Sequence, residues 1–345
     1  MISTRFINDG NAALKLNPLQ VKLRDLVSDK LRRGIYQLEE VKCSICGTNH
    51  TELLSEKDRY GIEMPVVICK DCGLIYTAPR MNQQSYAAFY DSEYRPLYHG
   101  YEAPYEDLFK SQYEEQGPEV SRFLVQQGLQ LEGKRVFEVG CGAGGTLAYF
   151  RDKHGCDVAG CDFGTEAITV GRDCHQLDLQ KGELSSAKLR WQPDILIYSH
   201  VFEHILNLEQ ECKNMASVLD LDGMVYIEIP SVKNIRRAYR WDFLLLLQNA
   251  HTYHFTLATL SNVMAKNGFS LVSGTEFVKA LFNLKPSEDA VVNDYGPVMS
   301  FLKTTEFLRP LMSPVSRLAS PPQRLAKAVL RRFDLLEAVR GLLNK

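Results

Sequence analysis

The sequence predicts an α/β protein: a doubly wound, mostly parallel sheet, preceded by a small cysteine-bearing module and followed by a helical extension. Three observations carry that prediction. From residue 136 onward, short apolar runs of strand character alternate with helical segments, the pattern of βαβ units. A glycine-dense turn, Gly140-Cys141-Gly142-Ala143-Gly144-Gly145, separates the first of those strands from a helix. Two Cys-x-x-Cys-Gly units, Cys43 to Gly47 and Cys69 to Gly73, stand ahead of the sheet.

Composition bounds the reading. The 345 residues are 45% hydrophobic and 24% charged, ordinary for a globular chain with room for a large domain and a smaller module. A net charge of −2 gives no general attraction to nucleic acid or an anionic membrane. Residues 1–20 lack the apolar core of a secretion signal. The longest obvious apolar run, residues 243–247, is far too short to cross a bilayer. The expected compartment is the cytoplasm, where nine cysteines point to metal ligation or free thiols before disulfides.

Residues 1–38 hold one predicted helix, 18–33, with Pro18 at its start and Gly34 after its end. Leu19, Leu23, Leu26, Val27 and Leu31 are placed on its apolar face. Residues 39–105 follow as a metal-binding module and a tyrosine-rich connector. Each Cys-x-x-Cys-Gly unit aims two sulfurs at one ion, and the glycine relieves the tight turn after the second. Cys43, Cys46, Cys69 and Cys72 thus supply the closed tetrathiolate set of a structural zinc. Val66 to Ile68 enters the second unit and Leu74 to Tyr76 leaves it, both with strand character, which is the look of a zinc ribbon.

Residues 106–130 read as a helix leading into the sheet. Strands are placed at Val136, Val158, 177–181, Ile195, Val225 and 269–272, with a helix at 257–266 stopped by Asn267-Gly268. Glycines at the first turn let the backbone press against a ligand, and the helix start after them suits an anionic or strongly polar group. Gly140, Gly142 and Gly145 fit the dinucleotide fingerprint, and Asp162 lies 22 residues past Gly140, near the spacing of a ribose-binding acid. On these residues alone a nicotinamide enzyme is open.

Later segments change that balance. Glu138-Val139-Gly140-Cys141-Gly142-Ala143-Gly144, Val158-Ala159-Gly160-Cys161-Asp162 and His200-Val201-Phe202-Glu203-His204 together resemble the class I S-adenosylmethionine (SAM)-dependent methyltransferases over residues 106–285. Leu221-Asp222-Gly223-Met224 departs from the family by one glycine at a surface turn. The resemblance implies a seven-stranded sheet whose last strand, near residues 278–284, runs antiparallel. It implies SAM contacts from Glu138, Gly140, Cys141, Gly142, Gly144, Asp162, Phe163, Ser199 and His200. The adenine contact is left between Asp178 and Glu183, with Glu183 preferred. The front module resembles that of bacterial sugar methyltransferases, in which the cysteine pairs precede Pro-Arg and a tyrosine-rich helix; here Pro79-Arg80 and Tyr86 to Tyr94 keep that order.

Methyl transfer to a hydroxyl needs in-line orientation and a base of near-neutral pKa. His200, His204, His251 and His254 are the candidates. Glu203 either orients a histidine or caps the short helix it begins, the cap being the simpler reading. Tyr90 and Tyr94 either cover the cofactor or pack on the zinc module. The expected reaction is O-methylation of a sugar hydroxyl on a nucleotide sugar or surface glycan. C-methylation of a deoxysugar and a non-catalytic SAM-binding protein stand as alternatives. The ribbon has no strong basic cluster, so a nucleic-acid partner is not expected. Residues 286–345 form a helical extension. Its segment 323–343 places Leu325, Val329, Leu336, Val339 and Leu343 on one stripe with Arg324, Lys327, Arg331 and Arg332 elsewhere. Such a basic amphipathic helix suits a membrane surface or packing on the body or on a dimer mate.

Overall fold

The computed structural model describes residues 1–101, 104–286 and 290–319. Its centre is a seven-stranded sheet. We label the strands β1 (Arg135–Val139), β2 (Asp157–Asp162), β3 (Asp178–Lys181), β4 (Ile195–Ser199), β5 (Met224–Glu228), β6 (Ser270–Gly274) and β7 (Lys279–Asn283). Their order across the sheet is β6-β7-β5-β4-β1-β2-β3. Strands β3, β2, β1, β4 and β5 pair in parallel, and β7 lies antiparallel between β5 and β6. This is the expected doubly wound sheet with its antiparallel last strand.

Both faces of the central strands are covered, so they read as near-continuous apolar runs. Phe137, Leu196 and Ile227 enter one core cluster, and Val136, Ile197 and Tyr226 the other. The strand order reverses where β1 meets β4, and the crevice at the carboxyl ends of these strands is where such sheets take ligands. The glycine turn follows β1 and His200 follows β4, so both face that crevice.

The cysteine module is built on a second, four-stranded sheet. Three of its strands, Thr51–Lys57, Glu63–Cys69 and Ile75–Thr77, come from the front of the chain. The fourth, Tyr253–His254, comes from between β5 and β6. It pairs antiparallel, with Tyr253 opposite Tyr76 and His254 opposite Ile75. The Cys43 and Cys69 side chains belong to the same apolar cluster as β4 and β5.

Helix Pro18–Arg32 starts at a capping box on Asn17, with proline in its first turn. Its buried stripe differs from the expected one. Val27 and Gln20 are its buried residues, whereas Leu19 and Leu26 are 36% and 40% exposed. The packing face is rotated toward Gln20, whose amide donates to the Leu97 carbonyl at 2.9 Å, and Leu19 and Leu26 fall at its margin. The segment before β1 is helical from Tyr105, with one wide turn at Gln112–Gln116, but ends at Gln126 rather than 130. Gly128 follows at φ +85°, a conformation that stops a helix. The helix Tyr295–Ala319 closes the described part of the chain; segment 323–343 lies outside it. Among the described residues no helix is long and apolar enough to cross a membrane.

Candidate active site

The glycine turn has little freedom to be anything else. Gly140, Gly142 and Gly144 sit at φ +69°, +56° and +78°, where L side chains are strained. A Cβ on Gly140 would stand 2.2 Å from Cγ2 of Val201. The turn after β1 and the segment after β4 therefore touch, which joins the two sequence motifs into one site. Cys141 is fully buried beneath the turn.

Asp162 ends β2 beside this turn. Its two carboxylate oxygens accept N–H groups from Gly142 at 2.9 Å and Gly164 at 2.7 Å. Each oxygen keeps a further lone pair, so the carboxylate is aimed while still able to accept hydroxyls. The next helix, Thr165–Thr169, takes Gly164 as its N-cap, so Asp162 is not itself the cap. Phe163 leaves its ring 59% exposed at the same edge, a flat apolar shelf. Of the two acids weighed for the adenine end, Glu183 follows β3 at this edge, exposed and bonded to Ser185. Asp178 begins β3 and is tied to Arg190 at 2.8 Å.

Glu138 is 1% exposed and its Oε2 has no hydrogen-bond partner. Burial, with Asp162 nearby, holds its carboxyl well above the usual range. The Glu138 carboxyl thus sits buried beneath the glycine turn with one oxygen left without a partner. Two residues of the preceding helix complete the cradle and were not foreseen. Gln112 donates to the Cys141 carbonyl at 2.9 Å, and Gln116 donates to the Ser199 hydroxyl at 2.6 Å. Their four-residue spacing on a helix was the available signal.

A second cluster lies past Val201. Glu203 is 2% exposed and neither carboxylate oxygen has a hydrogen-bond partner. It does not cap its short helix, which has no side-chain cap bond; this corrects the simpler expectation. Its Oε1 instead stands 3.9 Å from His200 Nδ1, 3.8 Å from His204 Nε2 and 3.7 Å from His251 Nε2. The atoms of Glu203, His204 and His251 lie within 4.8 Å of one another, close enough to share a proton or a divalent cation. Burial pushes the Glu203 carboxyl up to about 8 and the His204 imidazole down to about 4. The same cause pushes His251 well down and His254 to about 3. Near neutral pH the cluster thus rests uncharged, with neutral histidines around a protonated acid.

The histidines differ in access. His200 (φ +57°) is 55% exposed, yet burial still depresses its pKa, as expected for a group lining a concave cleft. His204 is 14% exposed, and its Nδ1 faces the Ala250 carbonyl at 2.8 Å and the Tyr90 hydroxyl. His254 lies in the small sheet, 2% exposed, with Nε2 unpartnered and its ring 6.0 Å from that of His251. His251 reaches Glu203 because Thr252 donates to the Glu203 carbonyl at 3.0 Å while its own carbonyl accepts from Thr77 at 3.0 Å. The cysteine-module sheet therefore positions half of this cluster.

Tyr86, Tyr90, Tyr94 and Tyr98 recur at helical spacing and form a wall. Consecutive rings from Tyr86 to Tyr98 lie 4.9, 4.4 and 6.0 Å apart. Tyr90 and Tyr94 stand 5.8 and 5.9 Å from the His204 ring. They pack with helix Pro18–Arg32 and Tyr60 rather than against the cysteines.

The four cysteines converge as their spacing predicts. Their sulfurs lie within 4.8 Å of one another, against about 3.8 Å between sulfurs in a tetrahedral Zn–S site. The two units are alike: Gly47 donates to the Cys43 carbonyl and Gly73 to the Cys69 carbonyl, both at 2.8 Å.

Residues 111–274 match a family described as a methyltransferase domain. A ubiquinone biosynthesis O-methyltransferase of Coxiella burnetii is 26% identical over 148 residues, covering 37% of this chain and 59% of that protein. The protein of the same description from Photorhabdus laumondii is 29% identical over 112 residues, covering 30% and 46%. The chain thus spans about three-fifths, or less, of the curated relatives it matches. Among solved structures, a putative sarcosine dimethylglycine methyltransferase from Galdieria sulphuraria is similar at 14% identity and a TM-score of 0.37, over 46% of this chain and 62% of that one. The PH0226 protein from Pyrococcus horikoshii has 15% identity and a TM-score of 0.41, over 51% and 96%. Residues 111–274 thus match a methyltransferase domain family, and the seven-stranded sheet they help to build has the class I methyltransferase fold.

Proposed function

We propose that the chain transfers a methyl group from SAM to a hydroxyl of a small acceptor, a sugar ring on a nucleotide sugar or surface glycan. The observation that carries this reading is the contact of two sites through Val201: a glycine cradle bearing Asp162 and Glu138 on one side, a histidine–carboxylate cluster on the other. Asp162 would take the ribose hydroxyls, Glu138 the ammonium, and Phe163 with Glu183 the adenine. When bound, SAM supplies a methyl group on a sulfonium leaving group.

The acceptor ring lies on Tyr90 and Tyr94, whose faces suit the C–H side of a sugar. Its hydroxyl then meets His204. Nδ1–H donates to the Ala250 carbonyl, which leaves the Nε2 lone pair toward Glu203. His204 takes the hydroxyl proton at Nε2, and ionised Glu203 stabilises the imidazolium that results. His200 lines the entrance, and His251 and His254 hold the cluster neutral and dry from behind. Cys43, Cys46, Cys69 and Cys72 would hold a structural zinc, which fixes the sheet that carries His251. The likeness to ubiquinone O-methyltransferases supports oxygen as the methylated atom.

The test is product analysis. Full-length protein with methyl-labelled SAM and a panel of nucleotide sugars is expected to yield S-adenosylhomocysteine and a labelled methyl ether. Label on a catechol but on no sugar would overturn the acceptor class, and no S-adenosylhomocysteine from any acceptor would overturn the transfer.

A further inference from the structure

We infer that Arg59 is an anion-recognition site, so that the acceptor carries a phosphate or carboxylate group. This inference rests on the methyl-transfer reading for what the acceptor is, but on its own observations for the anion. Among the described residues the Arg59 guanidinium is hydrogen-bonded by neutral oxygens alone. It donates to the Leu245 carbonyl at 3.3 Å, the Tyr60 hydroxyl at 2.8 Å and the Gln248 side-chain oxygen at 2.6 Å. Its Nε–H is buried and has no acceptor. Among the described residues no carboxylate lies within ion-pair distance of it. Arg5, Arg80 and Arg135, by contrast, each hold a carboxylate at 3.0 Å or less.

The adjoining acid, Asp58, feels the Arg59 charge but makes no ion pair with it. Asp58 is fully buried and spends its oxygens on the N–H groups of Tyr60, Ile62 and Asn249. A half-buried cation without a counter-ion is costly, and an incoming anion removes that cost through charge-assisted bonds to the planar fork.

The placement ties this cation to the reaction site. The guanidinium carbon lies 4.9 Å from the Tyr60 ring centre and 5.3 Å from that of Tyr98. Tyr98 is the outer, 46% exposed end of the tyrosine wall, whose inner members stand against His204. Gln248 bridges the other way: its oxygen accepts from Arg59 and its nitrogen meets His251, which faces Glu203. An acceptor laid along the wall therefore has its hydroxyl at His204 and its anionic group at Arg59.

The test uses the full chain saturated with S-adenosylhomocysteine and titrated calorimetrically with phenyl phosphate, benzoate and benzamide. At least one anion is expected to bind ten-fold or more tighter than benzamide; which one distinguishes a phosphate from a carboxylate acceptor. Arg59→Gln should remove the preference while leaving benzamide affinity unchanged, and Arg59→Lys should keep part of it. Equal binding of all three probes by the wild type, or of none, overturns the site, as does a preference that survives Arg59→Gln. The wild-type comparison decides the matter even where a variant fails to fold. If S-adenosylhomocysteine does not bind but the anion preference remains in its absence, the methyl-transfer reading fails and the anion site stands.

Discussion

Glu203→Gln tests the histidine cluster through stability as well as rate. In the folded chain Glu203 is 2% exposed, lacks any hydrogen-bond partner, and binds its proton up to about pH 8 against an ordinary 4.5. The folded state therefore holds a proton that the unfolded chain has released. Stability from this group is fully present below pH 4.5 and is lost as pH rises to about 8. The difference between those two values sets a ceiling of roughly 5 kcal/mol. Glutamine has the same shape and no proton to lose, so its curve lacks this component. Thermal unfolding of both proteins at pH 5, 6.5 and 8.5 should show the variant gaining on the wild type as pH rises. For a chain of this size that gain is roughly 5–10 °C at the upper end. The same variant should lose about 10²–10⁴-fold in kcat, and the wild type should gain rate as pH rises toward 8, where Glu203 ionises. Unfolding curves that stay parallel across the pH range would refute the reasoning.

Three further outcomes follow from named contacts. Gly140→Ala forces a Cβ to 2.2 Å from Val201 at a φ of +69°; it should abolish SAM binding by calorimetry while the circular dichroism spectrum is kept. Cys69→Ser, or a strong chelator, should remove one zinc per chain by elemental analysis. It should also lower the unfolding temperature and reduce kcat, because the strand pairing Tyr253 with Tyr76 carries the His251 segment. His204→Gln should cut kcat about 10²–10⁴-fold with SAM affinity unchanged, whereas loss of SAM binding would move His204 into the cofactor site.

What was legible in the sequence is what short-range chemistry dictates. The glycine turn, the acid at the end of β2, the helix Leu257–Lys266 and the four cysteines all declare themselves within a few residues. Glycine density, strand-length apolar runs and Cys-x-x-Cys-Gly spacing are local signals. The partnership of Glu203 with His251 was not legible, because it is set by a pairing between residues 75–77 and 253–254 that no local pattern encodes. The burial of Glu203 misled for the same reason: an acid at a short helix start reads as a cap until its neighbours are seen. The tyrosine run was visible, but not which way it faced. Arg59 carried no motif at all; only the absence of an ion-pair partner among the described residues makes it stand out.

The central claim is that the turn after β1 binds a sulfonium cofactor. Calorimetric titration of the wild type and of Asp162→Ala with SAM and with NADH tests it most directly. One SAM is expected to bind per wild-type chain, with no heat from NADH and with SAM binding lost in Asp162→Ala. Binding of NADH in place of SAM, or unchanged SAM affinity without the Asp162 carboxylate, would contradict it.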